Sequence, residues 1–179
     1  AYYLGEFAID KDRYDLLDFV LQRSNLSKRY SVIMEKLVTK GKLESMKHLF
    51  TNYASTDTEL LRYMQLAIGY NHFDIVKYLC DVVPDLCHKV QGSRFDLDAP
   101  LAYAIHLNRL DMIKYLAPRT HPDAVSTTIC NLINEASDEA ISAMLDCDVD
   151  IEACLPGCFP VLVMACHHMR YRLIRDVLI

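Results

Sequence analysis

Glycine occurs only five times in 179 residues and tryptophan not at all. So little glycine leaves no material for a phosphate-cradling loop, a collagen-like repeat or a flexible linker. Positive charge is also short: the formal net charge is −5 and the sequence pI is about 5.8. That argues against a nucleic-acid partner, which needs a basic stripe to neutralise phosphates. No long apolar run is uninterrupted either. The best stretch, Ile151 to Met169, is broken by Glu152, Pro156, Gly157, Pro160, His167 and His168, so no membrane span is expected. The chain is nonetheless 52% apolar, which excludes disorder. Seven cysteines, an odd number at irregular spacing after an unremarkable start, read as free thiols in a reducing compartment, most of them buried.

What the sequence does have is a repeat. Phe73-Asp-Ile-Val-Lys-Tyr-Leu79 and Leu110-Asp-Met-Ile-Lys-Tyr-Leu116 are near copies, and similar heptads begin at Tyr14, Leu43, Asp138 and Tyr171. The fourth residues are Leu17, Met46, Val76, Ile113, Ile141 and Ile174, and the seventh are Val20, Leu49, Leu79, Leu116, Met144 and Val177. All are apolar, an outcome that random placement yields about 4 times in 10,000. Six residues before each heptad stand Ala8, Leu37, Ala67, Ala104, Leu132 and Ala165, each followed by a second apolar residue: Ile9, Val38, Ile68, Ile105, Ile133 and Cys166. Each unit therefore reads as helix, short polar turn, helix, loop. Asp15, Glu44, Asp74, Asp111 and Glu139 open the second helix, where a carboxylate favours the helix dipole.

This pattern resembles the ankyrin repeat over nearly the whole chain. Ala99-Pro100-Leu101-Ala102-Tyr103-Ala104-Ile105 is similar to the family's opening, Asn71-His72 through Leu79 to its middle, and Met144 through Ile151 to its closing hairpin, with Asp150 in the Asp place. The sequence departs from the family in its turn glycine, present only as Gly41, and in its hairpin glycine, replaced for example by Asp148. The resemblance implies an all-α solenoid of about six helix-turn-helix units in a single repeat domain. The approximate boundaries are 1–29, 30–59, 60–96, 97–124, 125–157 and 158–179. With no Met at the start and no polar capping helix after the last heptad, a piece of a longer protein is expected. The longer spacing between the third and fourth heptads places an insertion at 85–99, either a finger beside the concave face or a tolerated surface loop.

No catalytic motif is present. Cys154, Cys158, Cys166, His167 and His168 offer zinc-type ligands, but Cys166 holds a core-facing place, and neighbours on a helix diverge by about 100°. Packed thiols and surface imidazoles account for them. The adjacent pairs Cys166 with His167 and Cys87 with His88 fail as nucleophile and base for the same geometric reason. No metal, cofactor or small-molecule substrate is expected, and no enzyme activity.

The resemblance places the residues after each apolar pair on the concave side, and these supply the candidates for partner contact: Tyr70, His106, Leu107, Asn134, Glu135 and His167, with Arg94 and Phe95 on the inserted loop. Tyr70, Leu107 and Phe95 carry most interest, as apolar groups where water is expected. Each has a plainer reading: Tyr70 covering its turn, Leu107 a lone exposed apolar residue, Phe95 pinning its own loop. The implied function is a cytoplasmic scaffold for another protein, bound through a concave groove and the inserted loop. The alternative is the recognition or regulatory arm of a larger enzyme, such as a pathogen effector or ubiquitin-ligase adaptor. Glycine-poor arrays of this kind resemble those of large DNA viruses, intracellular bacteria and protists, which would place the chain in host cytosol.

Overall fold

The computed structural model describes residues 2–22, 26–53, 56–88, 99–133, 135–147, 163 and 166. Helix pairs follow the heptads: α1 (Tyr2–Asp10) with α2 (Tyr14–Gln22), α3 (Leu26–Thr39) with α4 (Leu43–Asn52), and α5 (Asp57–Gly69) with α6 (Phe73–Val82). After the short α7 (Asp85–His88) come α8 (Pro100–His106) with α9 (Leu110–Leu116), and α10 (Pro122–Leu132) with α11 (Asp138–Leu145). The described residues contain no strand. The chain divides into two compact units, Ala1–Leu79 and Cys80–Ile179.

Local chemistry sets the helix ends. Thr56 caps α5 in a reciprocal box with Glu59, and the Ser137 hydroxyl accepts from the Ala140 amide at the start of α11. Pro100 and Pro122 occupy the first positions of α8 and α10, where a missing N–H costs nothing. The expected acidic residues stand in the first turns of α2, α4, α6, α9 and α11.

The apolar register is the core. Leu17, Met46, Val76, Ile113 and Ile141 are buried, as are Val20, Leu49, Leu79, Leu116 and Met144 seven places into the heptads. On the first helices Ala8, Leu37, Ala67, Ala104 and Leu132 are buried with Ile9, Val38, Ile68, Ile105 and Ile133 beside them. Ile174, Val177 and Ala165 of the sixth unit lie outside the described residues. Cys166, expected in the core by the same register, is instead exposed, so its thiol meets solvent.

Successive second helices also touch through aromatic rings and a His–Asp pair. His48 of α4 stacks on the Tyr14 ring of α2 at 5.1 Å, and its Nε2 lies 3.0 Å from Asp18 Oδ2. Phe50 meets Tyr78 of α6 edge-on at 6.0 Å.

A buried hydroxyl on α5 is at odds with its surroundings. Tyr63 on α5 is fully buried, and its hydroxyl finds no hydrogen-bond partner among the described residues. Burial raises the phenol pKa above its ordinary value of 10.0. A buried unpaired hydroxyl costs about 1 to 3 kcal/mol. Tyr63→Phe is therefore expected to stabilise the chain by about 1 kcal/mol, read as a higher midpoint of thermal unfolding. Because the unfolded phenol ionises while the folded one resists, stability should fall as pH rises through 10, less steeply in Tyr63→Phe.

Candidate functional site

The candidate site lies where each first helix ends and turns. In four helix pairs the residue four places after the buried anchor takes a left-handed conformation: Asp12 (φ 49), Gly41 (φ 67), Asn71 (φ 63) and Asn108 (φ 54). Two backbone bonds close each turn. The next residue's amide donates back to Ala8, Leu37, Ala67 or Ala104, at 2.8 to 2.9 Å, and the left-handed residue donates to Ile9, Val38, Ile68 or Ile105. This paired arrangement satisfies the orphan carbonyls of the helix end. Asp and Asn are among the few L-residues that tolerate it, so three turns dispense with glycine. The fifth turn differs: the amides of Glu135 and Ala136 both donate to Leu132.

Three of these turns, at Asp12, Gly41 and Asn108, are held by the following helix pair. Lys42 Nζ and Ser45 Oγ reach the Asp12 carboxylate at 2.8 and 3.0 Å, and the Lys42 hydrogen bond holds that carboxyl below its ordinary range. Ser137 donates to Asn108 Oδ1 at 2.7 Å. At Gly41 the His72 ring covers the turn, with its Nε2 2.9 Å from the Thr39 carbonyl, so that nitrogen carries the donated proton. A Cβ on Gly41 would stand 2.6 Å from His72 Nδ1. Glycine is kept at this turn because an imidazole occupies the space a side chain would need.

Along the first helices of the 1–79 unit runs a ladder of ion pairs. Lys36 meets Glu6, Lys40 bridges Glu6 at 3.4 Å and Asp10 at 2.6 Å, and Arg62 Nε meets Glu35 at 2.6 Å. The Lys40 hydrogen bond lowers the pKa of Asp10. Asp10 and Lys40, expected on the concave side, thus engage one another. Glu6, Glu35 and Arg62 were not among the sequence candidates, although their alternating charges beside the buried anchors are the signal that would have drawn attention to them.

The ankyrin-repeat model, described as ankyrin repeats in three copies, matches residues 33–128. The chain belongs to the ankyrin-repeat family. No curated protein and no solved structure matches it. Ankyrin repeats are generally protein–protein interaction modules and typically lack enzymatic activity. In this ankyrin chain the α1–α2 turn at Asp12 lies ahead of the matched segment yet has the same geometry as Gly41, Asn71 and Asn108 within it.

Tyr70 caps α5 and is 59% exposed, and its side chain makes no hydrogen bond or ring contact with a described residue. His106 and Glu135 are exposed. Leu107, at the equivalent place to Tyr70 in its own repeat, caps the C-terminal end of α8 and is half-buried. Arg94, Phe95, Asn134 and His167 lie outside the described residues, as do Cys154, Cys158 and His168. Among the described residues no group of three or more His, Cys, Asp or Glu is placed to hold a metal ion. No described helix is long and apolar enough to cross a membrane. The Cys147 thiol donates to the Ala143 carbonyl, and burial raises its pKa, the opposite of an activated nucleophile.

Proposed function

We propose that this ankyrin array is a cytoplasmic scaffold that binds another protein through the ends of its first helices, with no chemical turnover. The observation that carries the reading is Tyr70: a large amphipathic ring, mostly exposed, placed by a rigid turn and engaged with nothing described around it. A tyrosine held this way loses little entropy on contact, and such residues dominate many interfaces. Leu107 holds the corresponding place in the 80–179 unit, with His106 before it and Glu135 in the next repeat. The concave groove of the family and the inserted loop carrying Arg94 and Phe95, together with Asn134 and His167, belong to the same reading.

The test is affinity capture from parent-cell or host-cell lysate with the wild-type chain beside Tyr70→Ala. A protein recovered by wild type and depleted in Tyr70→Ala supports the reading. Equal recovery of every protein by both argues against it. Tyr70→Ala is a cleaner probe than Leu107→Asp, since Leu107 is half-buried and a carboxylate at a helix C-terminus opposes the dipole.

A further inference from the structure

We propose that a slot beneath Gly5 receives a single apolar side chain of a protein partner, next to an acidic residue of that partner which meets Arg29. The proposal rests on the protein-binding reading above and specifies the kind of partner surface.

The repeat register exposes the slot. Three residues before each buried anchor stand Met34, Met64, Leu101 and Ile129, all buried in their respective repeats. The first repeat has Gly5 there, inside α1, where glycine weakens a helix. Gly5 is itself buried, yet a Cβ built on it would have no atom within 4 Å. The side chain that fills this place elsewhere is missing, and its space remains. A cavity of about 160 Å³ lies against Gly5, walled by Ile9, Val20, Val32 and Ile33. Val32 is 49% exposed and marks its mouth. An apolar cavity of about 150 Å³ is large enough for benzene. One Leu, Met or Phe side chain therefore fits.

The rim chooses the neighbour. Lys36 on the rim is paired with Glu6, and Glu6 also receives Lys40. Arg29, also on the rim and exposed, has no partner among the described residues. The uncompensated charge beside the mouth is positive, which favours a carboxylate over an ammonium on the incoming chain. A planar guanidinium also suits a carboxylate in a bidentate pair.

The experiment uses the full 179-residue chain with labelled Ile, Leu, Val and Met methyls. Three capped peptides serve as probes: Ac-Glu-Ala-Leu-Ala-Glu-NH2, the same peptide with Ala for Leu, and the same peptide with Lys for both Glu. The first is expected to shift the methyls of Ile9, Val32 and Ile33 and to bind at least about tenfold tighter than either control. Gly5→Met should fill the slot, raise the thermal midpoint by about 3 °C or more, and abolish those shifts. Arg29→Glu, an exposed change, should reverse the preference between acidic and basic peptides. Absence of shifts, equal binding of the three peptides, or a destabilised Gly5→Met each overturns the proposal. A lysate partner kept by Gly5→Met but lost by Tyr70→Ala would sink the slot alone and leave the scaffold reading standing.

Discussion

Val76→Asp is expected to abolish the helical fold of the 1–79 unit. Val76 is fully buried at the fourth place of the α6 heptad. No cation is part of that buried register, so an aspartate there is either ionised without a partner or forced to protonate. Either way the cost is on the order of several kcal/mol. A domain's entire stability is about 5 to 15 kcal/mol, and each repeat leans on its neighbours. Ile113→Asp makes the same test in the 80–179 unit, where Ile113 is equally buried on α9. Loss of far-UV circular dichroism near 25 °C is the expected readout for both. Soluble variants that keep full helicity and a cooperative melt would show the register to be misplaced.

Gly41→Val is expected to cost about 3 kcal/mol although it deletes no side chain. Two effects add. The left-handed conformation at φ 67 penalises any L-residue by about 1 to 2 kcal/mol, and a β-branched one most. The new Cβ would also fall 2.6 Å from His72 Nδ1, displacing the ring and its bond to the Thr39 carbonyl, worth about 1 kcal/mol. For a chain of this size the thermal midpoint should drop by about 6 to 12 °C. A double-mutant cycle with Gly41→Ala and His72→Ala separates the two effects. If the ring matters, the pair costs less than the sum of the single changes; strict additivity would leave backbone strain as the whole cause.

The helix pairs and their buried faces were legible because a repeat presents the same apolar register several times, and agreement among copies outweighs the ambiguity of any one helix. Residues from Ala8 to Met144 in that register went where the spacing put them. The turns were less legible. Counting glycines suggested that most had lost the residue that makes them, whereas Asp12, Asn71 and Asn108 adopt the same left-handed geometry as Gly41. The reason for keeping Gly41 is the His72 ring of the next repeat, about thirty residues further on, which no local pattern reveals.

The candidate contact residues divide in the same way. Tyr70 and His106 follow from position in the repeat, because a residue beyond the last core anchor has left the packed face. Leu107 shares that position and is half-buried, since what covers a helix end depends on the shape of its neighbours. Gly5 was visible as a letter from the start. Its meaning lies in Met34, Met64 and Leu101 filling the same place in later repeats, and in the open space around Gly5 itself.

The most direct measurement is the affinity of the captured partner for the wild-type chain and for Tyr70→Ala, by calorimetry, with a thermal melt of each. Loss of a central tyrosine contact is worth about 2 kcal/mol, so Kd should rise about 30-fold while the melting midpoint stays within about 1 °C. An unchanged Kd in a folded Tyr70→Ala chain would contradict binding through the ends of the first helices.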